Sequence, residues 1–348
     1  MSKRFRRVAE VWSRPESLVA ELVRLGFLEP GAGEVAARVV ARHYDALSVP
    51  RSSETPEADA SVYTYAENPR RLSPAAFGLV FVGFDPEDDA RPLLRVREPA
   101  AALDFVLGHV RAPEWHGESH AVPKGVVAEA GVVIGPDCEI GEGTVLETGV
   151  RLGARVRIGR DGRIGAHSRI ADDCELGDEC RLTGSVSIGG QGFGFVKYPG
   201  ESGRRPRVHV GRVVVGTGVR LGAFVAIDRG VFEDTQVGDG GAFDNIVQVG
   251  HNCVVGREAV LCSFVGLSGS TELGDRVTLA GLVGTKGHMR IGHDVTVAAQ
   301  SGVSADVPDG QVVKGYPPRP LAEALKIQAL VGRLPEFFAR LKKLEEKP

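Results

Sequence analysis

A six-residue repeat of aliphatic side chains runs through two long stretches of this 348-residue chain. The first stretch comprises Val122, Ala128, Ile134, Ile140, Leu146, Leu152, Ile158, Ile164, Ile170, Leu176, Leu182 and Ile188. The second comprises Val237, Phe243, Val249, Val255, Leu261, Leu267, Leu273, Leu279, Thr285, Ile291, Val297 and Val303. A period of six matches neither the 3.6 of a helix nor the 2 of an ordinary strand. It predicts a parallel β-helix of hexapeptides, in which short strands form flat faces and small residues turn the corners.

The composition narrows the class of protein. The 46 glycines and 6% aromatic residues suit a narrow aliphatic core, and a net charge of −3 gives no support for a nucleic-acid partner. The five cysteines show no CxxC pair, which favours free thiols in a reducing compartment. No uncharged apolar run is long enough to cross a membrane, and the first residues lack a secretory signal. We therefore expect a cytoplasmic protein with at most peripheral membrane contact.

Three regions are predicted along the chain. Residues 1–112 form a small α/β domain, 113–316 the β-helix, and 317–348 a C-terminal α-helical tail. The fold class is thus mainly β. In the first region we predict a helix capped by Ser13 and ended before Gly31, strands at Ala76–Gly83 and Leu93–Val96, and a helix at Pro99–Val110.

Two interruptions and the tail carry further predictions. A segment rich in Gly, Pro and Arg, 189–209, breaks the repeat and is predicted to leave it as a functional loop insert. A smaller slip of phase occurs at 229–236. The tail reads as two amphipathic helices divided near Gly332–Pro335, with an apolar stripe that packs on symmetry mates. Basic residues beside that stripe also suit an acidic protein partner; they are Lys326, Arg333, Arg340, Lys342 and Lys343.

Candidate chemistry lies in the second stretch. Three hexapeptides make one coil, so His251 stacks on Gly269, which stacks on Gly287, beside His288. His251 follows the inward Val249 by two positions and should point outward. Alone it reads as a solvated histidine, but Asp244, Asn245, Gln248 and Asn252 crowd the same region. A base beside an exposed glycine amide is the minimum for acyl transfer.

Several segments of the chain resemble one known family. These segments are GQGFGFV at 190–196, AIDRGVFEDTQVG at 226–238, FDNIVQVGHNCVVG at 243–256, GLSGS at 266–270 and GHMRIG at 287–292. They resemble the UDP-3-O-acyl-glucosamine N-acyltransferases of lipid A synthesis. The resemblance implies a left-handed parallel β-helix, a homotrimer with active sites between subunits, and no cofactor. It also implies hydroxyacyl-acyl carrier protein as donor and a UDP-amino-sugar lipid as acceptor.

The resemblance also assigns roles to residues. It implies that His251 is the catalytic base, His288 a second active-site histidine and Gly269 the oxyanion donor. Residues that line the sugar and phosphate site would be Asp244, Asn245 and Gln248. The basic tail would face the acidic carrier protein. In the N-terminal domain, Tyr65 and Asn68 match the family's uracil site, while Arg71 stands where a second aromatic belongs and can stack on a base.

Other readings of the same residues remain open at this point. Another hexapeptide transferase could use acetyl-CoA on a nucleotide amino sugar, and a purely structural solenoid would have no turnover. A γ-class zinc carbonic anhydrase would use His251, His288 and His293. Within one chain His251 and His288 lie two coils apart, roughly 10 Å, which is too far to share a metal, so only a subunit interface could bring them together. We therefore expect no metal site.

Overall fold

The computed structural model describes residues 15–28, 64–66, 80–82, 93–96, 98–110, 114–231 and 233–345. The chain divides into two compact units. The first unit contains Met1–His116, Gln191–Arg212 and Arg229–Asp234, and the second contains Gly117–Gly190, Val213–Asp228 and Thr235–Pro348.

The second unit is a parallel β-solenoid with three faces. The first face contains β4 Val127–Ala128, β7 Val145–Leu146, β10 Arg163–Ile164, β13 Arg181–Leu182, β18 Arg220–Leu221, β21 Ala242–Phe243, β24 Val260–Leu261, β27 Thr278–Leu279, β30 Thr296–Val297, β32 Val312–Gly315 and β33 Pro318–Pro320. The second face contains β5 Val133–Ile134, β8 Arg151–Leu152, β11 Arg169–Ile170, β14 Ser187–Gly190, β19 Ala226–Asp228, β22 Gln248–Val249, β25 Gly266–Leu267, β28 Gly284–Thr285 and β31 Gly302–Val303. The third face contains β6 Glu139–Ile140, β9 Arg157–Ile158, β12 Glu175–Leu176, β17 Val213–Val215, β20 Thr235–Val237, β23 Val254–Val255, β26 Glu272–Leu273 and β29 Arg290–Ile291.

The register explains the six-residue repeat. Each strand pairs in parallel with the strand one coil along, as Val249 does with Leu267, except that β33 pairs with β32 in the antiparallel sense. The aliphatic residue of each strand points inward, so that Leu261 and Leu279 are 0% exposed in one continuous core. Thr285, a weak member of the repeat, is also buried and its hydroxyl lies 3.1 Å from that of Thr271. The predicted fold class is confirmed.

One corner of the solenoid is unusually apolar. Phe224, Ile246, Phe264 and Leu282 occupy it in four successive coils, with φ angles of 60°, 61°, 63° and 63°. Side chains with a Cβ are uncommon in this left-handed region, and β-branched ones especially so. All four are also exposed, by 63%, 45%, 55% and 55%. We call these four residues the corner ridge; it separates the first face from the second.

The first unit combines helices with short strands. Its described elements are helix α1 Pro15–Arg24, the parallel strands β1 Thr64–Ala66, β2 Val80–Val82 and β3 Leu93–Arg95, helix α2 Pro99–Val110, and a hairpin of β15 Phe195–Val196 with β16 Arg205–Pro206. Leu18, Phe27 and Leu103 form its core together with Tyr198 from the insert. Asp104 accepts hydrogen bonds from the Tyr198 hydroxyl at 3.2 Å and from the backbone N–H of Val208 at 2.5 Å.

Two details differ from the sequence-based predictions. The insert is not a plain loop, because it forms the hairpin and buries Tyr198 against the helices of its own unit. Helix α1 ends at Arg24 rather than near Gly31, since Gly26 adopts a φ of 77° that breaks the helix. Ser13 and Gly31 themselves lie outside the described residues. So does the predicted strand at Ala76–Gly83, apart from β2.

The phase slip has a simple structural form. The chain leaves the solenoid after Asp228 and returns at Thr235, and the segment between clusters with the first unit. Register partners across it are therefore 22 residues apart, as in Ala226 with Gln248, rather than 18. The faces continue without interruption on either side.

The tail forms two helices, α3 Leu321–Gly332 and α4 Leu334–Glu345, separated at Arg333. Their apolar side chains are largely exposed, including Leu325, Val331 and Phe338 at 48%, 56% and 66%. None of the described helices combines the length and hydropathy needed to span a bilayer.

Candidate active site

Backbone amides at many corners of the solenoid are capped by a side chain from the next coil. Asp172 caps the N–H of Ala154 at 2.9 Å, and Asp275 caps that of Arg257 at 2.8 Å. The same arrangement joins Arg160 to Asp178, Thr217 to Asp239 and Ala223 to Asn245. A buried or half-buried corner amide is thereby satisfied within the fold.

Gly269 departs from this pattern. It occupies the corner after β25, and the residue one coil along is Gly287, which has no side chain to offer. Within the part of the chain that the structure describes, the Gly269 N–H donates no hydrogen bond. The pair of glycines therefore leaves this amide donor uncapped at the surface of the solenoid.

His251 lies directly against this glycine. A Cβ on Gly269 would lie 2.6 Å from both Cε1 and Nε2 of the imidazole, so a larger residue there would displace the imidazole. The Nδ1 atom of His251 is 3.0 Å from Oδ1 of Asn252, and this oxygen accepts a hydrogen bond from the ring. Asn252 is held in turn, because its backbone N–H donates to the Thr235 hydroxyl at 2.9 Å. With Nδ1 directed at Asn252, Nε2 is the ring atom that would accept a proton if His251 acts as a general base.

His288 belongs to the same stack of corners, two coils from His251. Its backbone N–H donates to the carbonyl of Gly269 at 3.1 Å, and its side chain is exposed. Hydrogen bonds to the neighbouring coils thus fix the backbone around Gly269. The structure brings the two histidines to one column of corners, on either side of Gly269 along the solenoid axis.

Asp244 and Asn245 lie at the corner between β21 and β22, where the chain passes from the first face to the second. The Asp244 carboxylate accepts hydrogen bonds from the backbone and side-chain amides of Asn245, at 2.7 and 2.8 Å, and from the Ser263 hydroxyl. These donors, the Ser263 hydroxyl foremost, hold the pKa of Asp244 below its ordinary value. Asp244 is therefore an ionised, exposed acceptor, suited to the hydroxyl groups of a sugar.

Gln248 is joined to a residue that we did not predict. Its side-chain amide donates to Asp228 at 2.9 Å on the second face. Burial raises the pKa of Asp228 to about 6, and the hydrogen bond from Gln248 only partly offsets this effect. The only feature of the sequence that points to Asp228 is its place within the IDRG segment, because an aspartate at this position does not interrupt the six-residue repeat.

Of the predicted uracil site, only part lies within the described residues. Tyr65 lies in strand β1, where the backbone alone is described, and Asn68 and Arg71 lie outside the described residues. Their role stays a prediction. Among the described residues, no group of three His, Cys, Asp or Glu side chains is arranged to hold a metal ion.

Comparison with known proteins gives relatives of one kind. The chain is 50% identical over 164 residues to the UDP-3-O-acylglucosamine N-acyltransferase of Thermosynechococcus vestitus, covering 47% of this chain and 48% of that protein. It is 48% identical over 160 residues to the protein of the same name from Methylacidiphilum infernorum, covering 46% and 45%. The chain thus spans about half the length of the curated relatives it matches. No family model matches it.

Among solved structures, the UDP-N-acetylglucosamine acyltransferase of Francisella novicida superposes with a TM-score of 0.50 at 23% identity, covering 58% of this chain and 73% of that one. At this identity the likeness shows the fold alone. The resemblance predicted from the sequence is confirmed by the curated relatives, and the alternatives of a zinc carbonic anhydrase or another transferase gain no support.

Proposed function

We propose that this protein transfers a 3-hydroxyacyl chain from acyl carrier protein to the 2-amine of UDP-3-O-acyl-glucosamine, with no cofactor of its own. The observation that carries the proposal is the imidazole of His251 stacked on Gly269, whose amide is left uncapped by Gly287. A base beside an unpaired amide donor is the arrangement that acyl transfer needs.

The proposed reaction follows from the two groups. Nε2 of His251 removes a proton from the amine as its nitrogen attacks the thioester carbonyl and the C–N bond forms. The Gly269 N–H stabilises the oxyanion of the tetrahedral intermediate. When the intermediate collapses, the C–S bond breaks and the departing thiolate takes the proton from the imidazolium. Base catalysis supplies about 10²- to 10⁴-fold, and one oxyanion donor about 10²- to 10³-fold.

The proposed assembly is a homotrimer. The corner ridge exposes four large apolar side chains in one line, and such a line is costly in water without a partner. A cyclic trimer brings the same edge of three copies together at its axis and buries it. The apolar residues of α3 and α4 support the same assembly, because most of the described side chains of both helices are exposed.

Two further proposals concern the donor and the compartment. Lys326, Arg340 and Lys342 on the tail offer positive charge to the acidic carrier protein. The five cysteines form no disulfide, which suits the reducing conditions of the cytoplasm, where that carrier would be met.

Substitution of His251 tests the proposal. His251→Ala should lower turnover by about 10²-fold or more with hydroxyacyl-acyl carrier protein and 3-O-acylated UDP-glucosamine, because the base is lost. His167→Ala is a matched control, since His167 is also a corner histidine stacked on a glycine, Gly149, in a coil without the other groups. Full turnover in His251→Ala, with the solenoid intact, would reject the assignment.

A comparison of donors separates this function from related ones. Only a long hydroxyacyl chain on carrier protein should give product, whereas acetyl-CoA should give none. Product from acetyl-CoA at an equal rate would instead indicate a different acyltransferase of the same fold.

A further inference from the structure

The first face of the solenoid carries a groove that extends away from Asp244 and Asn245. It has a volume of about 440 Å³ and crosses strands β13, β18, β21 and β24. Arg181 and Arg220 line one end, and Ala242 and Val260 continue the same column of outward residues. Along this column the side chains change from the long cationic Arg181 and Arg220 to the short apolar Ala242 and Val260, and the short side chains leave the space of the groove.

The two arginines stand side by side without counter-charge. Arg181 and Arg220 are direct register partners on adjacent strands, about 4.8 Å apart at the backbone. Both are exposed, and neither guanidinium has an ion pair or a hydrogen bond with any described residue. By contrast, Arg163 in the preceding coil of the same face pairs with Glu147 at 2.6 Å. Like charges placed directly opposite each other are unfavourable, so this pair is suited to an anionic ligand.

The other end of the groove has different chemistry. Asp244 and Asn245 line its rim, one coil beyond Arg220 and two beyond Arg181, about 5 and 10 Å along the axis. The Asp244 carboxylate is held ionised by its hydrogen-bond donors, so it accepts from hydroxyl groups and repels phosphate. The groove thus has an anion-binding end and a hydroxyl-binding end.

We propose that this groove binds the diphosphate of the nucleotide sugar at Arg181 and Arg220, with the sugar directed toward Asp244. Guanidinium groups bind phosphate oxygens in pairs of parallel hydrogen bonds, and two neighbouring arginines match two neighbouring phosphate groups. The identity of the sugar rests on the proposed function, whereas the diphosphate site rests on the arginine pair alone.

Binding measurements on the full-length protein test the site. By calorimetry at low salt, Arg181→Ser and Arg220→Ser should each weaken the binding of UDP and UDP-N-acetylglucosamine by about tenfold, or about 1.4 kcal/mol. Uridine should bind these variants as it binds the wild type, and inorganic pyrophosphate should compete with UDP for the wild type only. Asp244→Asn should weaken UDP-N-acetylglucosamine but not UDP.

Arg151→Ser is the matched control. Arg151 is exposed, begins a strand and faces Arg169 in the same register, but it lies on the second face, outside the groove. Its substitution should leave the affinity for UDP unchanged. An equal loss in Arg151→Ser would mean that general surface charge attracts the nucleotide, and would overturn the proposal.

The remaining outcomes separate this site from the proposed function. Normal acyl transfer with unchanged UDP affinity in the double arginine variant would reject the groove and leave the function. A variant that loses affinity for the carrier protein's phosphopantetheine arm, but not for UDP, would also reject the nucleotide assignment. Arginine-dependent binding of UDP by a protein without acyl transfer would support the groove and reject the function.

Discussion

At the scale of single atoms, the absence of a side chain on Gly269 leaves room for the imidazole of His251. Because a Cβ there would lie 2.6 Å from Cε1 and Nε2 of His251, Gly269→Ala should push the imidazole away from the amide it accompanies. We expect turnover to fall by about 10²-fold or more while the solenoid stays folded, since the proposed base and the proposed oxyanion donor lose their alignment. Steady-state kinetics together with circular dichroism would measure both.

Gly203→Ala provides the control, because a Cβ on Gly203 meets nothing within 4 Å. Turnover in that variant should match the wild type. Wild-type turnover in Gly269→Ala as well would show that the stacked arrangement is not needed for the reaction.

Asp228 predicts a dependence of stability on pH. Its pKa is raised by burial from 3.8 to about 6, so the native state holds this proton more tightly than the unfolded chain does. The stabilisation that the raised pKa provides is complete below about pH 4 and is lost as the pH rises through about 6. Asp228→Asn should therefore raise the midpoint of thermal unfolding by a few degrees above neutral pH, and leave it unchanged in acid.

Asp294→Asn should behave in the opposite way. Hydrogen bonds from Arg276 hold the pKa of Asp294 below its ordinary value, so its contribution is present at neutral pH and lost in acid. A midpoint for Asp228→Asn that follows the same course as that of Asp294→Asn would contradict the raised pKa of Asp228.

At the scale of the strand, neighbouring residues point in opposite directions, one into the core and the next into solvent. Leu261 in β24 is 0% exposed within the solenoid core, whereas Val260 beside it is 40% exposed. Leu261→Ala should cost about 2–5 kcal/mol in the free energy of unfolding, because it leaves a cavity that the stacked coils cannot close. Val260→Ala should cost less than about 0.5 kcal/mol. Chemical denaturation would measure the difference, and similar costs at both positions would mean that the assigned inward direction is wrong.

The insert shows where an element escapes sequence reasoning. Its break in the six-residue repeat located it, but its Gly, Pro and Arg content resembles any loop. The burial of Tyr198 against Phe27, with ring centroids 5.3 Å apart, depends on a contact between residues far apart in the chain. No local pattern around Tyr198 indicates that partner.

At the scale of the whole molecule, the corner ridge predicts self-association. Phe264→Asp places a charge in the middle of the ridge and should shift the protein from the proposed trimer to a monomer in analytical ultracentrifugation, because burying an unpaired carboxylate is costly. Val254→Asp, which alters an exposed apolar residue on the third face, should leave the trimer intact. A trimer that survives Phe264→Asp would remove the ridge from the interface.

A ridge at the trimer axis has a consequence for both proposed sites. Since the ridge divides the first face from the second, each cleft would be bounded by the first face of one copy and the second face of the next. The groove of Arg181 and Arg220 would then open toward the face that carries Gln248 and ends at His251. Loss of the trimer should therefore also lower turnover.

The sequence by itself determined the solenoid, because a period of six has one regular solution in which every sixth side chain is buried. It also located His251, Gly269 and His288 in one column, since stacking at 18 residues fixes which corners lie together. Tertiary structure decided what depends on side-chain direction and on contacts between distant segments. The link of Gln248 to Asp228, the missing cap at Gly269 and the unpaired arginines of the groove arise only when neighbouring coils are placed side by side, because each depends on which groups a neighbour does or does not supply.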